Sequence, residues 1–192
     1  MMNMKSIFNE ILTEHVALVE SVRGLNDNVV EVAKLAACCL RNEKKILILG
    51  NGGSASDSQH FAAELVGRFV NDRKPLAAIS LSTDTSILTS VSNDYSFDET
   101  FTRQIKALGQ QGDMLFAIST SGNSMNAIKA VKEANNLGIN TVGLLGKNGG
   151  ELQNLCNYSI TIPSNVTARI QEYHIIVIHT LCMLIEAELG LS

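Results

Sequence analysis

Basic clusters are scarce in this sequence. No run of lysine or arginine exceeds a pair such as Lys44-Lys45, and the formal net charge is −4. A nucleic-acid groove needs concentrated positive charge, so nucleic acid is not an expected partner. Cysteine is sparse and poorly spaced for chemistry. Cys38, Cys39, Cys156 and Cys182 include an adjacent pair but no Cys-x-x-Cys. They fit small core residues of a reducing cytosol better than a disulfide framework or a thiolate metal site. No secretory leader is expected, because Glu10, Glu14 and Glu20 interrupt the first twenty residues. The most apolar stretch, "IIVIHTLCMLI" at 175–185, is broken by His179. It is shorter than the roughly 20 residues of a membrane span. The expectation is a cytoplasmic protein with no membrane partner.

The 192 residues suffice for one domain with a sizeable core. Apolar residues make up 45% and charged residues 18%, which favours a packed globule over a disordered chain. Residues 5–23 set Ile7, Phe8, Ile11, Leu12, Leu18, Val19 and Val22 at helical spacing with acids between them. After "GLNDN", residues 28–41 read as a second helix. Strand-type apolar runs then alternate with helices. The strands are "KILILG" (45–50), "LAAISL" (76–81), "DMLFAIS" (113–119), "INTVGLLG" (139–146) and "YSITIP" from Tyr158. The intervening helices span about 54–69, 85–92, 97–108, 123–136 and 150–155, and a long one closes the chain over 166–189.

Continuous apolar strands separated by helices imply an α/β fold with a parallel sheet covered on both faces. No linker or repeat divides the chain. Residues 1–42 stand outside the alternation as a helical extension. Its first helix carries a wide apolar stripe that must dock on the core or on another subunit, and another subunit is the preferred reading.

Open α/β sheets bind ligands beyond the carboxyl ends of their strands. Two loops there share a chemistry. "GNGGSAS" follows the first strand and "STSGNS" (119–124) follows the third. Both offer hydroxyls, glycines that admit a ligand close to backbone N–H groups, and the positive end of a helix, together an anion cradle. Capping is the competing explanation. Ser54 with Asp57 fits a capping box, and Asn123 or Ser124 could cap the next helix. For Ser54 the two readings are balanced. A cap needs one hydroxyl, whereas Ser119, Thr120, Ser121 and Ser124 supply four, so phosphate binding is preferred at the second loop.

Gly50, Gly52 and Ala55 also match the dinucleotide pattern G-x-G-x-x-A. That pattern wants an acid at the end of the second strand to hold a ribose. The strand ends "AISLST", Asp72 precedes it and Asp84 lies too far along. Neither loop continues into Gly-Lys-Ser/Thr. A nicotinamide, flavin or ATP-hydrolysing enzyme is therefore not expected.

His60 and Glu64 are four residues apart on a predicted helix, hence on one face, about 6 Å apart along the axis. Imidazole and carboxylate are ordinary zinc ligands, although from spacing alone a solvent-facing pair is the preferred reading. The final helix, "ARIQEYHIIVIHTLCMLIEAEL", adds Gln171, Glu172, His174 and His179. His179 lies in an apolar run and needs a partner, for which a backbone carbonyl in the core would serve. His174 and His179, five apart, diverge by about 140° and make poor co-ligands. Gln171 and His179 are about 12 Å apart along the axis, converging only by long reaches or from different subunits. Periodicity does not select this set.

Taken together, "GNGGSASDSQHFAAELVGRF", "SND" (92–94), "AISTSGNS" and "ARIQEYH…H" resemble the phosphoheptose (sedoheptulose 7-phosphate) isomerases of the sugar-isomerase, or SIS, superfamily. The four blocks are in order and the likeness runs over nearly the whole chain. It implies a single SIS domain over 1–192 with a flavodoxin-like five-stranded sheet, assembled as a homotetramer with sites at subunit boundaries. It implies one zinc ion per subunit held by His60, Glu64, Gln171 and His179. It also implies substrate contacts from Asn51, Gly52, Gly53, Ser54, Glu64, Asn93, Asp94, Ser119, Thr120, Ser121, Ser124 and Gln171. Some relatives carry an acid where this chain has Ala168.

The implied reaction converts D-sedoheptulose 7-phosphate to D-glycero-D-manno-heptose 7-phosphate, opening the route to ADP-heptoses of bacterial surface polysaccharide. Moving a carbonyl between neighbouring carbons passes through an enediol. Glu64 is the candidate base at carbon and His179 the candidate for proton traffic at oxygen. The rival is a non-catalytic SIS module that binds the bacterial replication initiator. It keeps the serine and "ARIQE" signatures but resembles this chain least at Glu64 and His179.

Overall fold

The computed structural model describes residue 4 and residues 6–191. Within them, α1 (Ile7–Arg23) and α2 (Asn26–Arg41) precede the alternation β1 (Ile46–Gly50), α3 (Gly53–Val66), β2 (Ala78–Ser80), α4 (Thr85–Asp94). A 3₁₀ turn (Phe97–Glu99), α5 (Thr100–Leu108), β3 (Met114–Ser119), α6 (Met125–Asn136) and β4 (Asn140–Gly146) follow. The chain closes with α7 (Leu152–Leu155), β5 (Tyr158–Ile162) and α8 (Thr167–Glu188). Every strand pairing is parallel and the order is β2-β1-β3-β4-β5. This is the flavodoxin-like order, whose switch point lies between β1 and β3.

The twofold periodicity of the strands divides the core. Ile46, Ile48, Met114, Phe116, Val142, Leu144 and Ile160 face one layer, built from α2, α3 and α8. Leu47, Leu49, Leu115, Ala117 and Leu145 face the other, with α5, α6 and α7. Strands buried on both faces lose the polar alternation of a half-exposed sheet, hence the continuous apolar runs. Phe61 of α3 meets Phe116 edge-on, with centroids 5.1 Å apart, which seats α3 on β3.

The two leading helices differ in role. α2 buries Val29, Val32, Ala33, Ala36, Ala37 and Cys39 and packs along α8, so it is part of the core rather than an appendage. α1 buries no residue fully. Polar contacts fasten it: the Arg169 guanidinium bonds the carboxylates of Glu172 and Glu14, and His15 bonds Glu172 at 3.0 Å. The His15 ring stacks on Tyr173 at 4.4 Å, and the Tyr173 hydroxyl donates to the His15 carbonyl at 2.6 Å. Phe8 (68% exposed), Leu12 and Val16 point outward.

α8 as a whole is long and apolar enough to cross a membrane by length and composition, unlike the 175–185 stretch taken alone. Half of its most apolar 18 residues are buried inside the fold, as for the core helix of a globular protein.

Candidate active site

The turn after β1 begins the site. The N-cap of α3 is Gly52, with φ +57, and no side chain caps it. The capping box, one of two balanced readings of Ser54 with Asp57, therefore does not form, because the helix starts one residue before Ser54. Ser54 is buried in the first turn. Asp57 turns inward, 7% exposed, with Oδ2 unpartnered among the described residues. Burial pushes its carboxyl up from 3.8 to about 6, opposed by the nearby His60.

Asn51 joins this turn to the one after β3. Its amide nitrogen donates to Asn126 Oδ1 at 2.9 Å, and Asn126 returns the bond at 3.0 Å. Asn126 is 2% exposed at the start of α6 and was not among the expected residues. Its only sequence signal is an amide placed just after the serine loop.

The serine loop is internally braced. Ser119 Oγ accepts from Gly122 N at 3.1 Å and lies 3.5 Å from Ser124 Oγ, while Ser121 Oγ accepts from Asn123 N at 3.2 Å. Ser124 occupies the N-cap position of α6, yet its hydroxyl makes no cap bond. The capping alternative fails there, leaving that hydroxyl turned to its loop. Gly122, at φ +66, lies so close to the loop after β4 that a Cβ would sit 1.8 Å from the Gly149 carbonyl oxygen. Only glycine fits. Asn123 Oδ1 accepts from Glu151 N at 2.9 Å, tying the same two loops.

His60, Glu64 and His179 converge, with ligand atoms all within 4.8 Å of one another. His60 Nε2 stands 3.1 Å from Glu64 Oε1 and 3.2 Å from His179 Nε2. Tetrahedral zinc with bonds of about 2.0 Å spaces its ligand atoms about 3.3 Å apart; the two separations from His60 match this, the third lies within 4.8 Å, and two imidazoles with a carboxylate are the donor types that ion takes. The Phe69 ring lies 5.4 Å from that of His179. The trio thus separates His179 from the core-histidine alternative. His174 fills that role instead: it is fully buried, with Nε2 2.9 Å from the Leu145 carbonyl, and burial pulls it down to about 4.

Other expected residues stand elsewhere within the chain. Gln171 packs against Gly53, where an added Cβ would lie 2.1 Å from its Nε2. His60 lies seven residues, about 10 Å, further along α3. Asn93 and Asp94 end α4 on the opposite layer, exposed, with Asn93 Nδ2 donating to Asp94 at 2.8 Å. Asp84 caps that helix through a 2.9 Å bond from Ile87 N, which accounts for it without a ribose.

Residues 10–146 match the SIS domain family. The phosphoheptose isomerase of Aliarcobacter butzleri is 48% identical over 188 residues, 97% of this chain and 100% of that relative. The structure of phosphoheptose isomerase from Neisseria gonorrhoeae has a TM-score of 0.92 at 41% identity, covering 96% of this chain and 100% of that one. That from Francisella tularensis gives a TM-score of 0.94 at 35% identity, covering 97% and 100%. Motifs, sheet order and relatives agree, and the chain belongs to the phosphoheptose isomerases of the SIS superfamily.

Proposed function

We propose that the protein isomerises D-sedoheptulose 7-phosphate to D-glycero-D-manno-heptose 7-phosphate, the entry to ADP-heptose for bacterial surface polysaccharide. The observation that carries this reading is the convergence of His60, Glu64 and His179 in a chain of this family. The two residues least like the initiator-binding branch are therefore both used, which favours the enzyme.

Ser119, Thr120, Ser121 and Ser124 would receive the phosphate, helped by the N-terminus of α6. Asn51, Gly52, Gly53, Ser54, Asn93, Asp94 and Gln171 would contact the sugar. Glu64 removes the proton from one carbon and returns it to the next, and His179 carries protons between the sugar oxygens. His60, Glu64 and His179 would hold zinc, which when bound supplies Lewis-acid polarisation of the substrate oxygens. A ligand carboxylate is a weaker base, so the two roles of Glu64 compete. The division within its carboxylate eases this: Oε1 faces His60, whereas Oε2 has no partner among the described residues.

Gln171 would complete the ligand set from another subunit of a homotetramer. The outward apolar stripe of α1 supports such an assembly, as does an apolar groove of about 530 Å³ between α1, α2 and α8. The test is incubation with sedoheptulose 7-phosphate, following the aldose product by NMR. Absence of that product would defeat the proposal. Sedimentation showing a single-chain mass would defeat the tetramer.

A further inference from the structure

Beyond the trio, α3 ends abruptly. The sequence expects a helix to residue 69, but α3 stops at Val66, with Gly67 as its C-cap. A helix end leaves carbonyls without intrahelical partners and concentrates negative partial charge. Here one side chain collects them. Arg73 Nη2 donates to the Glu64 carbonyl at 2.8 Å, and Nη1 to the Leu65 carbonyl at 2.7 Å and the Gly67 carbonyl at 3.1 Å. Its Nε donates to Glu186 Oε1 of α8 at 2.7 Å, and the side chains are only 2% and 3% exposed. Glu186 Oε1 also accepts from Phe69 N at 3.3 Å.

We propose that Arg73 and Glu186 are positioning residues that set the geometry of the histidine–glutamate trio. The inference rests on the trio being the reactive end of the site. Arg73 grips the backbone of Glu64 itself, so the guanidinium fixes where that carboxylate starts. Glu186 ties the guanidinium to the helix that carries His179. Its second bond holds Phe69, whose ring lies against His179. One buried ion pair thereby reaches the carboxylate through its own carbonyl and the imidazole through an adjacent ring. The planar fork reaches three carbonyls and a carboxylate at once, a span that the compact ammonium of a lysine covers only in part. Groups behind metal ligands typically alter affinity or activity 10–100-fold when removed.

The experiment compares the full-length protein with Arg73→Ala, Arg73→Lys and Glu186→Gln. Three quantities are read: kcat and KM for sedoheptulose 7-phosphate, zinc affinity by chelator competition, and amide exchange in the metal-free protein. Arg73→Ala is expected to lower kcat and zinc affinity at least 10-fold with KM within about 2-fold. Exchange should accelerate over residues 60–67 and stay unchanged over 119–124. Arg73→Lys should recover part of each loss. Folded variants with parental kcat, zinc affinity and local exchange would overturn the proposal. Should Arg73→Ala not fold, Glu186→Gln keeps the carbonyl bonds and decides by the same readings. A parent lacking turnover and zinc would instead defeat the proposed function, leaving the exchange measurement to judge the clamp.

Discussion

The serine loop after β3 is braced by hydrogen bonds among its own residues and to the loop after β4, whereas among the described residues the side chains of the trio on α3 and α8 bond polar groups only within the trio. In the loop, Ser119, Ser121, Asn123 and Gly122 bond to one another, and the loop after β4 closes over them. The His60 side chain is 41% exposed and Glu64 25%, with partners confined to the trio. In the proposed reaction a phosphate keeps its charge and shape, so a seat for it in this loop could be rigid and built on backbone. The reacting carbons change hybridisation and exchange protons, which calls for side chains with free capacity. Fixed geometry serves recognition; unused valence serves chemistry.

The sharpest way to break this contrast is Glu64→Gln. It preserves shape while removing the base, so kcat should fall about 10²–10⁴-fold in a protein of unchanged oligomeric size. Near-normal turnover would remove Glu64 as the base. Next, protein purified without chelator should contain zinc by elemental analysis, and the His60→Ala/His179→Ala double variant should lose it. A metal-free parent would leave the trio without this purpose.

A third test concerns the support that both ends share. His174 lies on α8 between Gln171 and His179, with an ordinary value of 6.5 lowered to about 4 by burial. The unfolded chain takes up this proton first. The contribution is complete above about 6.5 and is lost as pH falls from there to about 4, amounting to about 3 kcal/mol. Asp57 acts oppositely: its raised value favours the folded state as pH falls from about 6 to 3.8. Chemical denaturation should therefore compare the parent with His174→Gln across this range. Parallel pH profiles would count against the assignment. The smallest effect belongs to the cradle. Ser121→Ala with Ser124→Ala should raise KM about 10-fold, equivalent to one or two lost hydrogen bonds, with little change in kcat. An unchanged KM would argue against phosphate binding there.

Much of the fold was legible because each element carries its own periodicity. All five strands and the helices between them fall where apolar spacing puts them. The errors lie at ends fixed by distant partners. β2 is three residues rather than six, as an edge strand paired only with β1. α3 stops early because Arg73, beyond the helix, collects its carbonyls. The capping box failed because a glycine with positive φ starts the helix sooner than a serine could.

The site was legible in unequal parts. Four hydroxyls in six residues suggest the anion seat proposed here, and the His60–Glu64 spacing admits the proposed metal. Spacing did not link Gln171 or His179 to them; the family resemblance did. The Asn51–Asn126 and Arg73–Glu186 pairs left no local trace, being separated by 75 and 113 residues.

The Asn51–Asn126 pair carries a consequence for how such a chain can change over generations. Each amide satisfies the other, so replacing one asparagine strands its partner as a half-bonded polar group in a confined junction. A single substitution at either position is penalised before any compensating change can arrive. The turns after β1 and β3, far apart in the chain, are thereby constrained to be inherited as one part.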